Sequence, residues 1–270
     1  MDTTTSYELI NTGELIELAL NEKDEQDYWY IVTVLHNRGS EDVFDAALDL
    51  CESESSRDRV LGIHILAQLG TPERTFPEES VEVLLELLEY EEVPEVLHSI
   101  GVALGHYKES RAVAPLAEFK NHPNPDVRYG VVFGLLSQDD QLAIDTLIEL
   151  SADDHEKVRN WATFGLGSMV DVDTPQIREA LWQRILSETG DTDGQTEIRG
   201  EALVGLAIRQ DKRVVKPLIV ELSSSHVGIL PVEAAKEIGD SKLYSALVEL
   251  KEWWSLDKDL LQEAIHCCKN

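Results

Sequence analysis

The chain has 270 residues, with 52 Asp or Glu against 23 Lys or Arg, so its formal net charge at pH 7 is −29. Charge of that sign repels phosphate polymers and anionic lipid head groups, so we expect neither nucleic acid nor a membrane as partner. Hydrophobic residues make up 43% of the chain, enough for a core, and the low aromatic content of 6% favours helix over sheet.

The N-terminal twenty residues carry no basic region ahead of an apolar run and no run long enough to span a membrane. We therefore expect a cytoplasmic protein. Cys51, Cys267 and Cys268 are expected to be reduced, because adjacent cysteines rarely form an unstrained disulfide. A metal site formed by His266 with the Cys267 and Cys268 pair is the alternative, although zinc sites usually draw spaced ligands from two segments.

One pattern recurs along the chain: an apolar anchor, a small or β-branched residue at +4, and Leu or Ile at +8. The clearest copies start at Val127 and Val158, within DVRYGVVFGL and KVRNWATFGL. A spacing of 31 to 40 residues between anchors is typical of helical-repeat arrays. The anchors are Leu61, Val96, Val127, Val158, Ile198 and Leu230, with weaker copies that begin at Asp27, which is not apolar, and at Leu261, which has no matching +8 residue.

A second segment lies between the anchors, as in ESRAVAPLAEF from Glu109 and DKRVVKPLIVEL from Asp211. It starts with a helix-capping residue and places apolar residues three and four apart, so each repeat is predicted to be two helices, A and then B. Pro115 and Pro217 are expected to bend helix A or make its first turn irregular. Gly70, Gly105 and Gly239 are expected to end helix B.

These residues resemble the HEAT-repeat family, and more narrowly the bacterial HEAT-like repeats of the phycobilisome-lyase type. The resemblance rests on Val127-Arg128, Val158-Arg159 and Ile198-Arg199 at the start of helix B. It implies an all-α, right-handed α-α superhelix (a HEAT-like solenoid) of about eight helix pairs over 1–270, with capping units near 1–40 and 243–270. It also implies a concave face lined by B helices and a partial ladder of Arg128, Arg159 and Arg199 with acidic residues.

Helical geometry predicts that position +6 of helix B faces away from the core. In the central repeats the residues at this position are apolar, where a solvated surface would be polar. Aromatic residues flank them. We therefore predict a partner-binding groove, although tight packing of neighbouring B helices would bury the same column. The predicted contact residues are Phe133, Phe164, Trp161, Tyr129, Val102, His98 and Val204. On the A side, a glutamate-rich strip around Glu82, Glu86 and Glu89 is a solvated face or a second docking surface.

The sequence contains no nucleotide-binding fingerprint, no H-E-x-x-H and no spaced cysteine pair. We predict no catalytic residue, metal site or cofactor. The loop from Gly190 to Glu197 spaces carboxylates like the front of a calcium loop but lacks the distal glutamate, so a rim insertion is the simpler interpretation.

The predicted function is a non-enzymatic scaffold or adaptor that binds a neutral or basic protein in its concave groove, in an unknown oligomeric state. One alternative is an acidic inhibitor or immunity-like protein for a basic toxin or nuclease. A second alternative is a lyase-type enzyme acting on a protein substrate. A DNA glycosylase is disfavoured, because its groove needs a basic lining.

Overall fold

The computed structural model describes residues 7–190 and 192–269, and within these ranges the regular secondary structure is entirely helical. The prediction of an all-α fold is thus confirmed. The α-helices of the described residues are α1 (Thr12–Asn21), α2 (Glu25–Arg38), α3 (Glu41–Cys51), α4 (Ser56–Ala67), α5 (Pro77–Tyr90), α6 (Pro94–Tyr107), α7 (Val113–Ala117), α8 (Pro125–Leu135), α9 (Gln141–Leu150), α10 (Glu156–Phe164), α11 (Pro175–Ser187), α12 (Asp193–Ile208), α13 (Val215–Leu222), α14 (Ile229–Ile238), α15 (Tyr244–Leu250) and α16 (Lys258–Cys267).

The helices follow the predicted A and B order, with odd-numbered helices as A and even-numbered helices as B. Every anchor inferred from the sequence falls inside a B helix. The chain divides into two compact units, one ending at Leu135 and the other starting at Leu136. They are called unit 1 and unit 2 below. A single array over 1–270, its superhelical hand and its capping ends stay predictions.

The core of both units contains the +0, +4 and +8 positions of α4, α6, α8, α10 and α12, whereas Asp27 of α2 is exposed and Leu230 of α14 is partly accessible. Val158, Ala162 and Leu166 are fully buried, as the sequence predicts. The same three positions from Val96 are also buried. Buried apolar surface contributes about 25 cal/mol per Å², so this stripe supplies much of the stability of each pair.

Two of the short A helices start irregularly, as expected from their prolines. A 3-10 turn at Ser110–Ala112 precedes α7, and another at Lys212–Val214 precedes α13. The turn before α15, Ser241–Leu243, has the same form without a proline. The three turns share a carboxylate cap, from Glu109, Asp211 or Asp240, that accepts a hydrogen bond from the backbone N–H two residues later. The cap is thus the feature common to all three.

The glycines expected to end B helices behave in two ways. Gly70 and Gly239 have φ of 70° and 56°, a left-handed conformation that glycine tolerates well. Gly105 instead lies inside α6, so that prediction was wrong. Its role is close packing, because a Cβ there would lie 2.6 Å from the carbonyl oxygen of Phe133.

An arginine on several B helices ties neighbouring segments together. Arg159 makes two bonds to Glu188, the shorter at 2.9 Å, and donates to the carbonyl of Asp153. Arg199 pairs with Glu221 at 2.6 Å, in accord with the predicted ladder. Nη1 of Arg128 donates to the carbonyl of His122 at 2.8 Å.

Arg59 makes the same set of bonds in unit 1, which the sequence analysis missed. It bonds Glu91 through two nitrogens, at 2.8 and 3.1 Å, and donates to the carbonyls of Ser53 and Glu54. Arg59 is the fourth residue of α4, just as Arg159 is the fourth residue of α10. The apolar stripe predicted from Leu61 is nevertheless buried at Leu61, Ile65 and Leu69, so α4 is buried on more than one side.

Ala162→Asp tests the buried stripe. The new carboxylate would lie at a fully buried position in α10, so we expect a loss of about 3 kcal/mol or more in the free energy of unfolding. Chemical denaturation followed by circular dichroism measures it. Ala152→Asp, at an exposed position after α9, is the matched control and should leave the midpoint nearly unchanged. Equal stability of the two variants would contradict the assignment of Ala162 to the buried face of α10.

Candidate functional site

Aromatic and histidine rings from successive B helices lie side by side on unit 1. The rings of Trp29 in α2 and His64 in α4 are 4.6 Å apart between centroids. His98 in α6 stacks on Tyr129 in α8 at 5.5 Å, and Tyr129 lies 6.5 Å from Phe133. We call these five residues the ring row. They are all at least partly accessible to solvent, and 42% of Trp29 is exposed.

The part of the ring row on α6 and α8 depends on close contact between these two helices. A Cβ on Gly101 would lie 2.5 Å from the carbonyl oxygen of Gly130, and one on Gly130 would lie 2.9 Å from the carbonyl oxygen of His98. Side chains larger than glycine would therefore push the helices apart. The contact brings His98 within stacking distance of Tyr129, and the Phe133 ring within 5.5 Å of the ring of His106.

A chain of hydrogen bonds fixes His64 beneath the ring row. The hydroxyl of Ser99 donates to the carbonyl of Glu95 at 3.1 Å, so its oxygen is left to accept a bond from Nε2–H of His64, 3.3 Å away. Nδ1 of the neutral ring then accepts the hydroxyl of Tyr28 at 2.8 Å. The network assigns a neutral ring protonated at Nε2.

Burial keeps His64 neutral. It lowers the pKa of His64 to about 4, with a smaller contribution from the nearby His98 and His36. Burial also raises the pKa of Tyr28, so its hydroxyl stays a donor. The Tyr28, His64 and Ser99 chain is thus an uncharged support for the exposed ring of Trp29.

Two further histidines have one ring nitrogen bonded to a backbone carbonyl. Nδ1 of His98 donates to the carbonyl of Asp126 at 2.9 Å, and Nε2 of His36 donates to the carbonyl of His64 at 2.8 Å. Both bonds join one B helix to the next. They orient the rings and hold the helices in register.

A cavity of about 460 Å³ opens beside Trp29 in unit 1. Tyr28, Trp29 and His64 line it together with Leu20, Val60 and Leu61. Glu25, Arg57 and Glu95 supply its charged groups. This cavity, called the Trp29 pocket below, combines an exposed aromatic ring with more negative than positive charge.

The ring pair predicted for unit 2 is present on α10. Trp161 and Phe164 are half-buried and meet edge to face, with centroids 5.7 Å apart. Val204 is different, because it is only 3% exposed and cannot contact a partner. Its helix α12 packs closely on α14, since Gly200 lies against Leu230 where a Cβ would have no room. Val204 is therefore removed from the predicted contact set.

Carboxylates of α12, α14 and α16 lie near one another in unit 2. Burial raises the pKa of Glu201 to about 7, with further contributions from Glu233 and Glu197. On α16, Glu263 pairs with Lys236 at 3.1 Å. We call Glu197, Glu201, Glu233 and Glu263 the carboxylate column.

Of the predicted contact residues, Tyr129, Phe133, His98 and Val102 lie together in unit 1 and are partly accessible. Trp161 and Phe164 form their own pair in unit 2. The bonding of Tyr28, His64 and Ser99 was not predicted from the sequence. Ala67, at the +6 position counted from Leu61, is buried instead of facing outwards.

Each unit has a further cavity of several hundred Å³. A cleft of about 500 Å³ between α3 and α5 includes Glu86 of the glutamate-rich strip, and one of about 700 Å³ lies beside Trp253 in unit 2.

Of the loop considered for calcium, Asp191 lies outside the described residues, while Asp193 to Glu197 form the start of α12. Residues 7–190 and 192–269 contain no group of three or more potential metal ligands, and no helix among them is long and apolar enough to cross a membrane.

Comparison with known proteins supports the repeat fold. Residues 113–192 match a family model for HEAT repeats. Protein YibA of Escherichia coli K12 is 27% identical over 247 residues, covering 88% of this chain and 84% of YibA. The X-ray structure of the Escherichia coli YibA protein aligns with a TM-score of 0.75 at 24% identity, over 99% of this chain and 95% of that one.

A more distant structural neighbour is a chain from the structure in which Kap95p binding induces the switch loops of RanGDP to adopt the GTP-bound conformation. It aligns with a TM-score of 0.62 at 14% identity, over 98% of this chain and 40% of that one. These likenesses show a HEAT-like helical repeat fold. The narrower resemblance to the phycobilisome-lyase type stays a prediction.

Tyr28→Phe tests the hydrogen-bonded chain. It removes the donor to Nδ1 of His64 and so destabilises the neutral ring, which should raise the pKa of His64 from about 4 towards the ordinary histidine value. The pKa of His64 in the folded protein lies below its value of about 6.5 in the unfolded chain. The fold therefore keeps its full stability above pH 6.5 and loses stability as pH falls from about 6.5 towards 4, because the unfolded chain takes up a proton that the folded chain does not. Titration of the imidazole resonances by NMR measures the shift, with Tyr30→Phe as control.

Proposed function

We propose that the protein is a non-enzymatic interaction module that binds another protein through the ring row of unit 1. The observation that carries the proposal is the row itself, in which partly exposed rings lie on successive B helices. Solvent alone would favour polar side chains at such positions. Contiguous exposed apolar and aromatic surface is typical of interaction sites.

The energetics favour these rings as anchors. Tyr and Trp residues often contribute 2 kcal/mol or more each to an interface, because large rigid rings bury much area at little entropic cost. The hydrogen-bonded support of His64 and the glycine contact behind His98 hold the rings in place before binding. A pre-organised surface loses less conformational entropy when the partner docks.

The fold is compatible with this role. A chain from the structure in which Kap95p binds RanGDP aligns with this chain. The partner proposed here is a neutral or basic protein, since the formal charge of −29 disfavours nucleic acid and anionic membranes. The proposal keeps the expectation of a cytoplasmic protein.

A second candidate function is an acidic inhibitor or immunity-like protein for a basic toxin or nuclease. The carboxylate column of unit 2 favours it, because neighbouring carboxylates complement a basic surface and speed association. This function also works by binding. The two candidates differ in the chemistry of the partner and in whether binding blocks an activity.

The test is affinity capture with the tagged full chain in a lysate of the source organism, read by quantitative mass spectrometry. Tyr129→Ser with Phe133→Ser should retain the helical spectrum and weaken recovery of the partner at least about tenfold, equivalent to about 1.4 kcal/mol. Tyr90→Ser, which removes an 81% exposed ring on α5, is the matched control. Trp161→Ser with Phe164→Ser tests the pair in unit 2 separately.

Three outcomes separate the possibilities. Selective loss in the Tyr129 and Phe133 variant supports the ring row. A large fall in melting temperature in that variant would mean that the rings are core residues. A stable variant with unchanged recovery would contradict the proposal and direct attention to Glu82, Glu86 and Glu89. If the captured partner is a toxin or nuclease, inhibition of its activity by the wild-type chain decides for the second candidate.

A further inference from the structure

The Trp29 pocket of unit 1 has the features of a site for a single cationic side chain. The indole ring of Trp29, a residue that is 42% exposed, provides an electron-rich surface, which attracts ammonium and guanidinium groups. Glu25 on α2 and Glu95 on α6 contribute two carboxylates to the cavity lining. Its volume of about 460 Å³ is ample for one long side chain.

The floor of the pocket does not oppose a cation. His64 is neutral, because its Nδ1 accepts the hydroxyl of Tyr28 and its Nε2–H donates to Ser99. Burial reinforces this state by lowering the pKa of His64 to about 4. A charged imidazole at this position would have repelled the incoming group at close range.

Arg57 is the one positively charged residue in the lining of this pocket, and its guanidinium is already hydrogen-bonded to the backbone. Its Nη2 donates to the backbone carbonyl of Glu22 at 3.0 Å. The lining therefore contains two carboxylates and one guanidinium, and the chain as a whole carries a formal charge of −29. Both the local and the overall charge favour a cation over an anion.

We propose that the Trp29 pocket receives a lysine or arginine side chain of the partner protein, seated on the indole ring between the carboxylates of Glu25 and Glu95. This inference rests on the proposed function, since it assigns part of the partner's chemistry to one end of the ring row. The occupant is a basic segment of a protein. Its cationic side chain enters the pocket while neighbouring residues cover the rings of His98 and Tyr129.

The test is an NMR titration of the full ¹⁵N-labelled chain, observed at the indole N–H resonance of Trp29, which Trp29→Phe assigns. The probes are the N-acetyl amides of arginine and lysine, with those of glutamate and leucine as controls. Arginine and lysine should shift the Trp29 resonance saturably, with dissociation constants on the order of millimolar. The half-exposed Trp253 of unit 2 is the internal reference and should not shift in the same way.

Two double variants that remove the same charge distinguish binding in the pocket from attraction by the overall negative charge of the protein. Glu25→Gln with Glu95→Gln should weaken arginine binding at Trp29 by about threefold or more, since each exposed ion pair contributes modestly. Glu82→Gln with Glu89→Gln removes the same charge from α5 and should leave the affinity unchanged. Equal weakening by both pairs, or an equal response of Trp29 to the glutamate probe, would overturn the inference.

The outcome is distinguishable from failure of the proposed function. If Tyr129→Ser with Phe133→Ser loses the partner while neither cationic probe shifts the Trp29 resonance, the ring row is supported and the pocket assignment is wrong. If the cations saturate Trp29 but partner recovery is unaffected by the ring-row variant, the pocket binds cations and the proposed function is wrong.

Discussion

The structure of unit 1 depends on backbone contact between neighbouring B helices. Gly101 in α6 and Gly130 in α8 lie so close that a Cβ on either residue would overlap the other helix. Unit 2 has a similar close contact between Gly205 of α12 and Gly167, where a Cβ on Gly205 would lie 2.5 Å from the Cα of Gly167. Close contact buries the apolar stripe between pairs, and it brings the outward-facing rings of adjacent helices within stacking distance.

This contact explains how the repeats of unit 1 present a defined surface. In unit 1 each B helix contributes one or two rings to the row, which are too few for a binding site alone. Stacked at the spacing that glycine allows, the rings of His98 and Tyr129 join into a continuous surface. The neutral Tyr28, His64 and Ser99 chain does the same at the other end of the row, where it supports Trp29 without adding positive charge.

The sequence predicted the helix pairs and the buried stripe because Val158, Ala162 and Leu166 repeat with a strong helical period. It predicted the buried residues Leu61, Ile65 and Leu69 of α4 but not the burial of Ala67, because that helix is apolar around most of its circumference. The bonds of Arg59 to Glu91 and to two carbonyls are visible only in the structure. Burial of Val204 was equally hidden, since it depends on how closely α14 approaches at Gly200.

The most direct measurement is the stability of Gly101→Ala in the full chain, determined by chemical denaturation. Alanine is the better helix former by about 1 kcal/mol, so helix propensity alone would make the variant more stable. The packing account predicts the opposite sign, because a Cβ would lie 2.5 Å from the carbonyl oxygen of Gly130 and force α6 and α8 apart. A clear loss of stability, with a weakened contact between the His98 and Tyr129 rings in NOE spectra, is the expected result. A variant as stable as the wild type or more stable, with the ring contact intact, would contradict the account.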